Sequence, residues 1–218
     1  MVIFKFRKTG RAKFLSHLEM MRLVKLAIRR AGIDVEETKK GAMKIYFSPA
    51  TPIGVESEVE FVEIDMDETA HKVADELKTY LPEGIEITGE YDTKGRMFIS
   101  QTACLAKYKI EIDGISDLQK KISEVLSSAE FFVKLKMNGK ISTESVNTLI
   151  HSFSFDKGNL VLLGFTGENN LSITQTILQL LSTIGRADAE FKIKKTNLFS
   201  KIDERFHDVE LLLMRNKV

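Results

Sequence analysis

A single cysteine, Cys104, is all that 218 residues contain. That excludes an internal disulfide and the three-cysteine ligand set of iron–sulfur chemistry. Cys104 reads instead as a small buried side chain. No apolar run approaches the ~20 residues that span a bilayer, so no membrane partner is expected. The opening Met1-Val2-Ile3-Phe4-Lys5-Phe6-Arg7-Lys8 is too charged for a secretory leader. The cytoplasm is the expected location. His71, His151 and His207 are isolated, with no metal-ligand spacing around them. Gly41, Gly54 and Gly185 are dispersed, so they argue for no phosphate-cradling loop. A catalytic motif is missing throughout, and no metal or cofactor is expected in this chain.

What is present is a globular composition, 43% hydrophobic and 29% charged, long enough for one large or two ordinary domains. The formal net charge of +1 conceals a segregation along the chain. Residues 1–50 carry 12 Lys and Arg against 4 Asp and Glu, a balance of +8. Residues 51–100 carry 4 against 13, a balance of −9, and beyond residue 100 the signs nearly cancel. Two outcomes follow: ion pairs formed within the fold, or a basic face that meets phosphates or an acidic partner.

The most specified segment is Ser16 to Gly32. Ser16 caps a helix over about 17–31, Glu19 reaches back as a capping box, and Gly32 supplies a left-handed stop. At 100° per residue, Met20, Leu23, Val24, Ala27, Ile28 and Ala31 share one side. Arg22, Lys25, Arg29 and Arg30 share the other, and Lys39, Lys40 and Lys44 follow closely. Four cations within ten residues can neutralise several phosphates, so Arg22, Lys25, Arg29, Arg30, Lys39 and Lys40 are the candidate nucleic-acid contacts. No aromatic pair marks a stacking platform on the first strands. His17, between Ser16 and Glu19, is a weak candidate acid–base group; the alternative is packing near the sheet.

Alternation and turn chemistry predict strands at Val2–Lys8, Met43–Phe47, Glu58–Asp65 and Ile85–Ile87. A helix over about 69–81, capped by Asp67 and ended by Pro82-Glu83-Gly84, lies between the last two. The order βαββαβ is that of a ferredoxin-like unit. The second half reads strand 108–112, a helix capped by Ser116, and strand 131–136 before an Asn138-Gly139 turn. Strands 152–155 and 160–163 then flank the turn Asp156–Asn159. A helix with a Ser172/Gln175 capping box and strand 190–194 close the half, with one strand left unplaced. The expected fold class is α+β, two tandem ferredoxin-like (βαββαβ) units with antiparallel sheets. Their expected bounds are 1–95 and 104–200, with 201–218 a C-terminal extension; residues 209–214 fit either a short helix or a strand.

Three stretches together resemble a known family: Gly10 with Phe14-Leu15-Ser16-His17-Leu18-Glu19 and Arg22, then Arg29-Arg30-Ala31-Gly32, then Pro52-Ile53-Gly54-Val55-Glu56-Ser57-Glu58. They resemble the uncharacterised bacterial radical-SAM-linked proteins, a domain fused to or encoded beside radical SAM proteins. Ser16, His17, Glu19, Gly54, Glu56 and Ser57 are the motif positions so matched. The chain departs from that pattern in having Glu19 for an aspartate. Only Ala42-Met43 stands between Gly41 and Lys44, where the family carries a Phe-Asn-Pro-His-Pro segment. An Asp-Ile-Arg-Pro-like stretch near 142–148 is absent as well. The resemblance implies a radical SAM protein as partner and an RNA-related pathway, but no reaction.

Three functions are consistent with these features. One is a non-catalytic accessory module that binds RNA, docks a radical SAM enzyme, or both. Another is a metal-independent RNA endonuclease of tandem ferredoxin-like type, with His17 as acid or base. A pure protein-interaction module using the acidic residues 56–68 is the third. The carboxylates of Glu56 and Glu58 could bind a metal as a pair, but a turn entering a strand accounts for them more cheaply.

Overall fold

Strict alternation in Val2–Lys8 sends Val2, Phe4 and Phe6 to one side, and those side chains become the floor on which the first two helices pack. A computed structural model of the chain describes residues 1–137, 140–166 and 171–215. It divides into two units, Met1–Cys104 with Asn197–Val218, and Leu105–Thr196.

The first unit begins with β1 (Val2–Lys8), a 3-10 turn (Gly10–Phe14) and α1 (His17–Arg30). There follow β2 (Ile45–Phe47), β3 (Glu56–Ile64), α2 (Ala70–Lys78), β4 (Ile85–Asp92) and the short α3 (Ile99–Thr102). β1 lies between β4 and β3, antiparallel to both, and β2 pairs antiparallel with β3. Val2, Phe4 and Phe6 meet Val24, Ala27 and Ile28 of α1 and Val73, Ala74 and Leu77 of α2 in one buried cluster. Burying such side chains is worth roughly 1.5–3 kcal/mol each, which fixes the register of β1 against its helices.

The second unit runs β5 (Ala103–Ile112), α4 (Ile115–Ser127), β6 (Phe132–Met137), β7 (Lys140–Ser145) and α5 (Val146–Leu149). It continues through β8 (Ile150–Asp156), β9 (Asn159–Phe165), α6 (Ile173–Thr183) and β10 (Phe191–Ile202). Its main sheet has the order β10-β5-β9-β8. β7 matches none of the five strands read from the sequence in this half, and among the described residues it pairs with β6 alone, in a separate two-stranded sheet. Strand 131–136 is therefore outside the main sheet, contrary to the expectation. Gln179 of α6 holds it there, bonding both the N–H and the carbonyl of Lys134 at 2.8 and 3.1 Å. The Asn138-Gly139 turn lies outside the described residues.

Beyond Asn197, β10 belongs to the first unit, joined by β11 (Arg205–Asp208) and α7 (Val209–Arg215). Residues 197–218 thus group with residues 1–104, whereas the sequence suggested the end of the second unit and an extension. Glu210 explains the attachment: it accepts from Lys5 Nζ at 2.6 Å and from the Tyr91 hydroxyl at 3.1 Å. Burial, then the nearby Glu210 carboxylate, pushes the Tyr91 phenol far above its ordinary pKa of 10.0, so it stays a donor.

Three caps differ from expectation. Thr69, not Asp67, precedes α2, and Gly114 in a left-handed conformation, not Ser116, precedes α4. Ser172 does precede α6, without a side-chain cap bond.

Candidate nucleic-acid interface

Both halves of the α1 capping box form. The Ser16 hydroxyl accepts from the Glu19 N–H at 3.3 Å, and the Glu19 carboxylate accepts from the Ser16 N–H at 2.8 Å. At the other end Gly32 takes φ +68°, with the Ile33 N–H bonded to Ile28 O at 3.2 Å. The helix orientation is therefore fixed at both ends. Hydrogen bonds from Ser16 hold the Glu19 carboxyl below its ordinary value of 4.5. A depressed folded pKa means the reciprocal bond is complete above that ordinary value and lost as pH falls through the lowered one. Amide exchange in the first turn of α1 is accordingly expected to accelerate on acidification, and Ser16→Ala to cost about 1 kcal/mol in a urea melt. Equal exchange at neutral and acid pH, after correction for intrinsic rates, contradicts the cap.

With Met20, Val24, Ala27 and Ile28 buried, the opposite side of α1 is turned out. Arg22, Arg29 and Arg30 are exposed and Lys25 is half-buried. Leu18, Arg22, Lys25 and Arg29 fall within an arc of about 60°, one stripe along the helix, with Arg30 further round. Lys39 and Lys40 are exposed on the loop beyond. Among the described residues none of these six cations makes an ion pair. Lys44 differs from the expectation. It lies 3.3 Å from Asp65 and 3.7 Å from Glu36, and the Asp65 bond raises its pKa. Its charge is answered within the unit, so it leaves the stripe.

The acidic block 56–68 is largely consumed by the fold. Thr51 donates to Glu60, both buried, and Glu68 pairs with Lys72. Buried Glu63 accepts three backbone N–H groups, from Met97 at 2.9 Å, Phe98 at 3.1 Å and Ile99 at 2.7 Å. Sequence reading missed this last role, because nothing local marks a strand carboxylate as the acceptor for a loop 34 residues away. A cavity of about 480 Å³ remains beside the end of α1, lined by Asp34, Glu36, Glu37, Asp67 and Glu68.

His17 is half-buried and lies on the sheet side of α1, its ring edge-on to Phe47 at 6.0 Å between centroids. The remaining motif positions do converge. The Gly54 N–H donates to Lys13 O at 2.9 Å, and the Gly10 N–H to Glu56 Oε1 at 3.4 Å. Ser57 is wholly buried, its hydroxyl accepting from the Val59 N–H at 3.2 Å. Residues 10–19 and 52–57 thus form one surface, so the motif is architectural at Ser57 and Glu56 and outward-facing at Gly54. Cys104 is half-buried, not buried as expected, and desolvation raises its thiol pKa. No group of three or more His, Cys, Asp or Glu among the described residues is placed to hold a metal.

A family model described as "Uncharacterized protein conserved in bacteria (DUF2344)" matches residues 2–187. No curated protein matches. Among solved structures the chain is similar to one from the crystal structure of a Cbf5-Nop10-Gar1 complex, at 10% identity and a TM-score of 0.47. That alignment covers 90% of this chain and 48% of the other, so the chain spans about half the length of that relative. No helix among the described residues is long and apolar enough to cross a membrane.

Proposed function

The chain belongs to this family of uncharacterised proteins conserved in bacteria, and we propose that it is an RNA-binding accessory module, because its helix stripe carries cations that make no ion pair among the described residues. One observation carries the reading: six cations on and beyond α1 make no ion pair among the described residues, whereas Asp65 and Glu68 are paired with Lys44 and Lys72 and Glu63 is taken up by backbone N–H groups. Phosphates are the counter-charge such a stripe accommodates. The partner served would be a radical SAM protein in the cytoplasm, as the resemblance of residues 10–22 and 52–58 implies. In the finer description both units are ferredoxin-like. The neighbours β4-β1-β3-β2 and β10-β5-β9-β8 support that reading.

Filter binding of a structured RNA at several salt concentrations tests the proposal. If four cations each meet a phosphate, log K falls with log salt at a slope of about −3 for single-stranded contacts. The triple variant R22A/R29A/R30A is expected to reduce that slope by about 2 and to leave the fold intact, since these side chains are exposed. No binding at low salt, or the same slope in the variant, ends the RNA reading. The nuclease alternative has no observation in its favour, because His17 lies against Phe47 on the far side of the helix from the stripe.

A further inference from the structure

Three large apolar side chains stand in water close to the point where the two motif segments join. Phe14 is 61% exposed, Leu18 63% and Ile53 59%. Backbone bonding brings two of them together: the Gly54 N–H bonds Lys13 O at 2.9 Å, placing Ile53 beside Phe14, and Leu18 follows Phe14 by one helical turn's spacing, just beyond the Ser16 cap. The patch is also stiff. The capping box fixes Leu18, and the Gly10 and Glu56 bond closes the loop behind it. Exposed apolar side chains scattered singly need no explanation, but three grouped on rigid backbone mark an interaction surface. The Glu19 and Glu56 carboxylates at its edge are each already bonded to a backbone N–H, of Ser16 and of Gly10, which leaves the two cations of the rim as its uncommitted charges. Arg11 is exposed and Lys13 half-buried, the latter with its ammonium 5.4 Å from the Phe14 ring centroid, and neither makes an ion pair among the described residues.

We infer that Phe14, Leu18 and Ile53 form the docking site for a partner protein segment, one presenting an aromatic or aliphatic side chain flanked by carboxylates. Charge complementarity selects that occupant: the apolar centre takes the anchor and the Arg11–Lys13 rim takes the acids. RNA offers no aliphatic anchor, and one phenyl ring makes no stacking run. Leu18 heads the same stripe that continues through Arg22, Lys25 and Arg29. A protein gripped at its head leaves the rest of the stripe open to RNA. The inference rests on the accessory-module reading of the protein but not on RNA binding.

The test is a selection from a displayed library of random 12-residue peptides against the full chain. Synthetic versions of the enriched peptides are then titrated by fluorescence anisotropy. Enrichment of an aromatic or aliphatic residue flanked by Asp or Glu is expected. Affinity should fall at least about tenfold in L18S/I53S and change less than about twofold in R29A/R30A. Amide shifts mapped by NMR should cluster at residues 11–18 and 52–54. Enrichment of basic or uncharged peptides, or equal affinity for L18S/I53S with an unchanged melting temperature, overturns the proposal. So does loss in L18S/I53S of binding to phosphatidylglycerol vesicles, or of self-association, without any effect on peptide. Failure of the RNA titration alone leaves this result standing, so the two readings fail separately.

Discussion

Glu63→Ala is expected to destabilise the first unit by about 3–5 kcal/mol, read as a lowered urea midpoint at unchanged slope. The carboxylate is 1% exposed and accepts from three consecutive backbone N–H groups, of which that of Ile99 is itself buried. Removing it strands donors that water reaches poorly, and each orphan costs about 1–3 kcal/mol. It also releases Phe98, which holds φ +55°, a left-handed conformation that a bulky residue adopts only under constraint. Arg96 would loosen with it, since its guanidinium lies 3.3 Å from the Tyr46 ring centroid and 4.7 Å from that of Phe98. Glu63→Gln separates the contributions. It keeps one oxygen acceptor but aims an amide N–H₂ at remaining donors, so about half the loss should persist. A cost below about 1 kcal/mol for Glu63→Ala would show that the loop is held by something else.

In the second unit a large effect is expected from a single methyl group. A Cβ added at Gly164 would stand 2.2 Å from Leu171 Cδ2 and 3.3 Å from its Cβ and Cγ. Leu171 has no room to retreat, being wholly buried, and its N–H is bonded to Phe165 O at 2.9 Å. Gly164→Ala should therefore cost about 2–3 kcal/mol by overpacking. Leu171→Ala alone should cost about 2–5 kcal/mol through the cavity it leaves. The double variant is the discriminating measurement. If the new methyl fills space that the leucine vacated, G164A/L171A is no less stable than L171A, and the coupling exceeds about 1 kcal/mol. Additive losses would mean that Gly164 is required for backbone reasons and not for contact.

The first unit was legible because its signals are local. Alternation in Val2–Lys8, the Ser16/Glu19 box and the Gly32 stop each act within a few residues, and each forms as read. The stripe of Arg22, Lys25 and Arg29 followed from helix periodicity alone. Lys44 did not, because its partner Asp65 is 21 residues away and periodicity is blind to such pairing. The turn Asp156-Lys157-Gly158-Asn159 announced itself through Gly158, and Lys157 and Gly158 both take positive φ. The comparable turn at Asp203-Glu204 contains no glycine, so β11 was not foreseen, although both residues also take positive φ. β6 was misplaced because pairing partners are a tertiary choice; its alternation suits a two-stranded sheet as well as a larger one. The exposed patch at Phe14, Leu18 and Ile53 joins residues that only folding makes neighbours.

The lysine and tyrosine that grip Glu210 have a consequence for the order of events at the ribosome. Lys5 and Tyr91 emerge early, but their shared acceptor follows the whole of the second unit. At about 5–20 residues per second, the early portion waits several seconds with those donors unanswered, while the contiguous unit 105–196 can complete itself first. Removal of α7 should therefore injure the unit whose strands are made before the intervening one, and spare the unit made in between.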